Sequence, residues 1–280
     1  MEEKLRKFLE EDIGQGDITT HLIIPEKAVV EAEIVVKESG VVAGIEEALV
    51  ICESLKLKAK ALASDGNRVK LKTPILHIVG DARTLLSAER TLLNILSRMS
   101  GIATTTSSLA RKVAAQKSRV ACTRKTAPGL GYFDKKAVLV GGGETHRLHL
   151  DDLVLIKDNH TRIVGNVGDA VKKARESVSF SKKIEVETAS VEEALEAARA
   201  GADIVMLDNF PPKKARDVVL LLRKEGLRDG VLLEASGRIN AENIMDYARA
   251  GVDVISVGEI THSPKALDMS LEVVRVSVRK

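Results

Sequence analysis

The sequence predicts an α/β fold: an open, incomplete α/β-barrel, preceded by an N-terminal region of mixed elements. Three observations carry this expectation. From about residue 118, short β-rich runs alternate with amphipathic helical stretches, the pattern of a parallel sheet covered by helices. The stretches "SVEEALEAARAG", "PKKARDVVLLLRKEG" and "NAENIMDYARAG" each close on a glycine (Gly201, Gly226, Gly251), the usual C-terminal stop. Finally, "ARAGADIVMLD" (198–208) and "ARAGVDVISVG" (248–258) repeat one helix–glycine–strand unit. Repeated βα units with no second apolar domain after them favour a barrel over a doubly wound sheet. The strand candidates are "RVACTRK", "LVLIKD", "KIEVE", "DIVMLD", "VLLEASG" and "DVISVG". They are too few to close an eight-stranded barrel, so an incomplete one is expected.

Ahead of this region, "VVEAEIVVKE" (29–38) is β-branched and partly alternating, whereas "IEEALVICESL" (45–55) has helical spacing. "RVKLKTPILHIVG" (68–80) alternates like a strand and is interrupted by Pro74. "ARTLLSAERTLLNILSRM" (82–99) predicts a long helix whose apolar stripe runs through Leu85, Leu86, Leu92, Leu93, Leu96 and Met99.

Composition narrows the function classes. The 280 residues suffice for one large α/β domain, or for a small domain and a medium one. A net charge of +3 over that length points to no partner. Nucleic-acid binding has no support, since no basic run interleaves with aromatics. Cys52 and Cys122 are far apart, lack metal-like spacing and sit in apolar contexts, so they are expected to be buried free thiols. That suits a reducing, cytoplasmic location. The acidic N-terminus "MEEKLRKFLEEDIGQGDITT" has no apolar h-region and is not a signal peptide. No apolar run reaches the roughly 18 residues that span a bilayer.

The strand ends carry the chemistry. The candidates finish in Thr123-Arg124-Lys125, Lys157-Asp158, Glu185-Val186-Glu187, Asp208-Asn209, Glu234-Ala235-Ser236-Gly237 and Val257-Gly258. In a parallel barrel these ends share one face. The apolar part of each strand is expected to fill the barrel, and its polar tip to face a ligand. A single charged strand end is ordinarily just solvated, but six in succession are harder to assign to solvation. Cations on the first two strands predict an anionic substrate. Carboxylates on the next three could hold Mg²⁺ or sugar hydroxyls. Ser236-Gly237 and Gly258 fall where barrels bind phosphate through backbone N–H groups. "GGG" at 141–143 matches no dinucleotide or P-loop fingerprint. His146, His149 and His160 could ligate a metal, but a histidine beside Arg147 suits an anion better; His21 and His77 read as structural. Lys157 on a barrel strand could instead form a Schiff base, as in aldolases.

Together "TRKTAPGLGYFDKKAV", "GGGETHRLHLDDLVLIKDNH", "IEVE", "VMLDN", "LEASG" and "VGEITHSPKALDMSL" resemble quinolinate phosphoribosyltransferase, the decarboxylating nicotinate-nucleotide pyrophosphorylase of NAD synthesis. "EDIGQGDITT" and "AERTLLNILSRMSGIAT" resemble it too, so the likeness covers nearly the whole chain. The resemblance implies an N-terminal α/β sandwich domain (1–110) and a type II phosphoribosyltransferase barrel domain (111–280) ending in a helical segment. It implies quinolinate and phosphoribosyl pyrophosphate as substrates, Mg²⁺ as cofactor, and a homodimer or higher even oligomer with shared active sites. By position, Arg90 would reach across from the partner subunit. Arg124, Lys125, His146, Arg147 and Lys157 would surround quinolinate. Glu187 and Asp208 would take Mg²⁺ and ribose hydroxyls, and Ser236, Gly237 and Gly258 the 5′-phosphate.

Two positions depart from the family pattern: Gly131 stands where an arginine is common, and Arg238 where a second glycine is usual in the phosphate loop. Intact "KDNH" (157–160) argues against the molybdenum-transport-associated paralogue. The paired cations "RK" and "HR" favour a dicarboxylate over the nicotinate taken by nicotinate phosphoribosyltransferase.

Overall fold

The expected alternation is present, and the winding of its strands places every polar strand end on one edge. The structure, a computed structural model, describes residues 1–278. They form two compact units, one of Met1–Ser107, Ala127–Gly142 and the chain from Ser263 onward, the other of Ser108–Thr126 and Gly143–His262.

The first unit begins with α1 (Glu2–Ile13) and α2 (Ile18–Ile23). Asp17 caps α2 by accepting the Thr20 N–H at 3.0 Å. Then follow β1 (Ala28–Val36), β2 (Gly40–Val41), α3 (Ile45–Ser54), β3 (Lys58–Ala61), β4 (Arg68–Val69), β5 (Pro74–Asp81) and α4 (Ala82–Val113). Pro74 opens β5 rather than interrupting it, because the first residue of a strand need not donate to the ladder. The apolar stripe of α4 is buried from Leu85 through Leu92, Leu96 and Met99 to Ile102. Beyond Met99, Gly101 lets the chain at Lys265 lie against the helix, where a Cβ would stand 1.9 Å from the Lys265 carbonyl oxygen.

The second unit holds β6 (Arg119–Ala121), after which α5 (Gly131–Val140) returns to the first. Buried Asp134 on α5 anchors it there, accepting two hydrogen bonds from Arg98 at 2.7 and 2.9 Å. The second unit resumes with β7 (Val154–Ile156), α6 (Asp158–Val164), α7 (Val167–Ser177), β8 (Ile184–Thr188), α8 (Val191–Arg199) and β9 (Ile204–Asp208). It ends with α9 (Pro212–Lys224), β10 (Leu232–Ser236), α10 (Ile244–Ala250), β11 (Val254–Ser256) and α11 (Glu259–His262).

Here the parallel sheet runs β6-β11-β10-β9-β8-β7. From β7 to β11 each strand lies beside its predecessor, the single winding of a barrel rather than the reversal of a doubly wound sheet. The first strand, β6, comes last, which leaves an open seam. On its free side β6 makes a single parallel bridge among the described residues, from Ala121 to Glu144. The fold is therefore α/β with an open sheet, as expected.

Two expectations need correction. The C-terminal segment is not helical: β12 (Met269–Val278) runs antiparallel to β1 and extends the first unit's sheet to the order β12-β1-β5-β3. Its valines at 273, 274, 276 and 278 give the β-branched content of a strand. The strands, moreover, are not apolar rods with polar tips. Parallel register puts Ile184, Val186, Val205, Leu207, Leu233, Ala235 and Ile255 on one face, all buried under the helices. Glu185, Glu187, Met206, Asp208, Glu234, Ser236 and Ser256 share the other face. One face builds the core; the other carries polar side chains from mid-strand to tip.

Candidate active site

Side-chain alternation, not strand termination alone, assembles the site. On β8 Glu185 and Glu187 are two residues apart and so project from the same face. At the end of β7 the Lys157 ammonium donates to Glu187 Oε1 at 2.7 Å, as expected one step past the Ile156–Val186 pair in the register. Diagonally from Glu187, Asp208 ends β9 and accepts the Asn209 side-chain amide at 2.8 Å.

Asp208 and Ser236 are register partners, and the Asn209 N–H donates to the Ser236 carbonyl at 2.8 Å. Beside them Gly237 has φ 103°, and an added Cβ would fall 2.4 Å from Asn209 Oδ1. Only glycine fits both the backbone and the space. We expect Gly237→Ala to raise the KM for the phosphorylated substrate at least about tenfold, roughly 1.4 kcal/mol, in steady-state assays. An unchanged value would take this loop out of the site. Arg238, the departure from the glycine pattern, also adopts φ 52°. The loop thus keeps a glycine-like backbone there, at a cost of about 1 kcal/mol, and the Arg238 carbonyl accepts the Asn243 side-chain amide at 3.2 Å.

Beyond β6, Arg124 and Lys125 are exposed. Lys125 passes close to Gly258, since a Cβ built there would lie 3.6 Å from Lys125 Cδ. Arg147 is only 8 % exposed. Burial lowers its pKa, and the nearby Arg124 charge lowers it further, opposed by Glu185 and Glu187. A buried cation repelled by an exposed one beside it forms a place that an anion relieves.

Glu185 and Glu234, counted among the polar strand ends but given no role by the family resemblance, are the most deeply buried acids of this face. They are 0 % and 2 % exposed. His146 Nε2 lies 3.2 Å from Glu185 Oε2 and 3.3 Å from Glu234 Oε2. Burial alone would lower the His146 pKa; the two carboxylates overcome it and raise it to about 10. Burial and the Glu234 charge raise Glu185, against the pull of His146. One contact opposes full protonation of the ring: His146 Nδ1 accepts the Arg147 N–H at 2.8 Å, which a proton on Nδ1 would break. The proton that the two carboxylates stabilise is the one on Nε2, which faces them. The signal for both acids was in the sequence, as alternation in "IEVET" and "LLEAS".

The second unit thus brings together Arg124, Lys125, His146, Arg147, Lys157, Glu187, Asp208, Ser236, Gly237 and Gly258. Arg90 lies elsewhere, exposed on α4 in the first unit. His160 is used locally, its Nδ1 accepting the Lys157 N–H at 2.9 Å at the start of α6. Gly131, the other departure, merely begins α5.

Comparison with known proteins converges on one family. The model of the quinolinate phosphoribosyl transferase C-terminal domain matches residues 102–272, and that of the N-terminal domain residues 17–100. A relative from Methanothermobacter thermautotrophicus named "Probable nicotinate-nucleotide pyrophosphorylase (carboxylating)" is 47% identical over 271 residues, covering 96% of this chain and 97% of its own. The nicotinate-nucleotide pyrophosphorylase (carboxylating) of Mycobacterium leprae is 40% identical over 273 residues, covering 96% and 95%. Among solved structures, the nicotinate-nucleotide pyrophosphorylase of Francisella tularensis superposes with a TM-score of 0.90 at 38% identity, covering 98% of this chain and 97% of that one.

Proposed function

Because the chain belongs to the quinolinate phosphoribosyltransferase family, we propose that the polar edge of its parallel sheet brings quinolinate and phosphoribosyl pyrophosphate together. The enzyme is a decarboxylating phosphoribosyltransferase of NAD biosynthesis. It converts these two substrates to nicotinate mononucleotide, pyrophosphate and CO₂. One observation carries the site assignment: cations cluster at the β6 and β7 ends and carboxylates at the β8 and β9 ends of one sheet edge.

The reaction needs that division. Quinolinate carries two adjacent carboxylates and its co-substrate carries phosphate and pyrophosphate, so unaided approach is repulsive. Arg124, Lys125, Arg147 and Lys157 offset the dicarboxylate, while the Ser236-Gly237 and Gly258 loops receive the 5′-phosphate through backbone N–H groups. The pyridine nitrogen attacks the anomeric carbon as pyrophosphate leaves, and Glu187 and Asp208 face the positive charge that develops on the ribose. The positive charge on the ribosylated nitrogen then stabilises the electron pair left on C2 as its carboxylate departs as CO₂, and that pair takes up a proton.

Glu187 and Asp208 also suit Mg²⁺. Both are hard oxygen donors on neighbouring strands, and Mg²⁺ is typically bound by one or two carboxylates plus water and substrate phosphate oxygens. Bound there, Mg²⁺ would neutralise charge on the leaving pyrophosphate.

A homodimer supplies what the second unit lacks. Ile18, Leu22 and Ile23 on α2 are 75 %, 75 % and 70 % exposed, an apolar patch suited to burial against another copy. Arg90 then enters the site of the partner. Mixing Arg90→Ala and Arg147→Ala subunits, each expected to be severely impaired alone, tests this. Random reassociation should restore about a quarter of wild-type activity, because half the dimers are mixed and carry one intact site. No recovery, with mixed dimers shown to form, removes Arg90 from the shared site. Cytoplasmic residence fits two buried free thiols, and among the described residues no helix is long and apolar enough to cross a membrane.

A further inference from the structure

Asp208 is offered to the ribose and the metal, and a single group holds its carboxylate in place. The Asn209 side-chain amide donates to Asp208 Oδ2 at 2.8 Å, and among the described residues no other group donates to that carboxylate. Glu187, across the same sheet face, is held by the Lys157 ammonium instead. A half-buried carboxylate at a strand end turns freely unless something fixes it, and freedom lost on binding weakens the hold on a ligand.

Asn209 is itself fixed on several sides. Its backbone takes φ 55°, in the left-handed region. Its N–H donates to the Ser236 carbonyl at 2.8 Å. Its amide oxygen lies over Gly237, 2.4 Å from where a Cβ there would stand. The next residue, Phe210, is buried, and its carbonyl accepts the Tyr247 hydroxyl at 2.9 Å. Gly237 thus leaves the room that the amide oxygen occupies, and the amide nitrogen is turned to Asp208. Turn geometry alone does not ask for this side chain: Lys56, Lys72 and Lys117 adopt a left-handed backbone elsewhere in the chain.

We infer that Asn209 is a positioning residue whose amide holds the Asp208 carboxylate in the orientation that receives Mg²⁺ and the ribose hydroxyls of phosphoribosyl pyrophosphate. Carboxylates that face a metal commonly depend on such a supporting hydrogen bond. The inference rests on the reading of Asp208 as a ribose and metal carboxylate. It also gives Gly237 a second reason to lack a side chain, as the seat of the Asn209 amide.

The test removes the amide and keeps the backbone. Asn209→Gly enters the left-handed region without steric cost and retains the N–H to Ser236. Binding of phosphoribosyl pyrophosphate is read by calorimetry with Mg²⁺ and phthalate present, since phthalate carries two adjacent carboxylates but no ring nitrogen to react. Asn209→Gly should raise this Kd about tenfold. The quinolinate KM in steady-state assays should stay within about twofold, with thermal unfolding little changed. An unchanged Kd would overturn the inference, as would equal losses for both substrates, the mark of a merely structural residue.

Asp208→Asn separates the levels of the account. With the amide acting through Asp208, Asn209→Gly should add no more than about twofold to the Kd of Asp208→Asn. A further tenfold loss in the double variant, about the size of the single effect, would mean that the amide meets the substrate directly and would overturn the positioning role. Wild-type affinity in Asp208→Asn defeats the reading of Asp208 itself, whereas weakened affinity there beside an unaffected Asn209→Gly defeats only the inference. Should the glycine variant fail to fold, Asn209→Asp keeps the shape and the backbone but has no proton to donate at neutral pH. It should weaken phosphoribosyl pyrophosphate binding at least as much, and unchanged binding would overturn the inference.

Discussion

Replacing Arg147 with alanine should lower kcat/KM for quinolinate by about a hundredfold or more, while the variant still folds. Arg147 is 8 % exposed and lies near a second cation, Arg124. Removing a buried, charged partner of a dicarboxylate costs roughly 2–5 kcal/mol, or about 30-fold to several thousandfold. Loss of this cation relieves repulsion on Arg124 but also removes its attraction to Glu185, Glu187 and Asp152, so thermal unfolding measured alongside separates lost stability from lost substrate contact. The effect should fall on quinolinate and spare phosphoribosyl pyrophosphate, whose phosphate is proposed to bind the loops after β10 and β11. An unaltered quinolinate kcat/KM would remove Arg147 from the site.

The second large effect belongs to Glu187. Its carboxylate lies 2.7 Å from the Lys157 ammonium and diagonally across the sheet face from Asp208. It therefore joins the cationic group to the carboxylates proposed to face the ribose. Glu187→Gln keeps the shape and removes the charge. Turnover should fall about a hundredfold, the scale of losing one preorganised electrostatic contact to a developing charge. The Mg²⁺ concentration giving half-maximal rate should rise as well, because a neutral amide is a poorer ligand for a hard cation. A slowed enzyme with an unchanged Mg²⁺ requirement would leave Glu187 facing the ribose and assign the metal to other ligands. Unchanged turnover would contradict its placement altogether.

Much of this was legible before any coordinates. The alternating elements, the glycine stops and the repeated "ARAG" unit located the parallel sheet, because a strand buried beneath helices must be apolar on at least one face. Polar strand ends pointed to the sheet edge that carries the candidate site for the same reason. What the sequence obscured was depth. Glu185 and Glu234 sit within the strands, where burying a carboxylate is normally prohibitive. Their partner, His146, comes from a loop about forty or more residues away in sequence, so nothing local announces it. The polar alternation of "IEVET" and "LLEAS" was the available clue, hidden by reading those strands as apolar runs with polar tips. β12 was obscured differently. Its "MSLEVVRVSV" is strand-like in residue type, but its partner β1 is more than two hundred residues earlier. Only the completed sheet shows why this segment is extended.

The most direct test is an incubation with quinolinate, phosphoribosyl pyrophosphate and Mg²⁺ that follows nicotinate mononucleotide and CO₂ together. The account predicts both products in equal amounts and their loss when EDTA removes the metal. Turnover of nicotinate without CO₂, or no product from either acid, would contradict it.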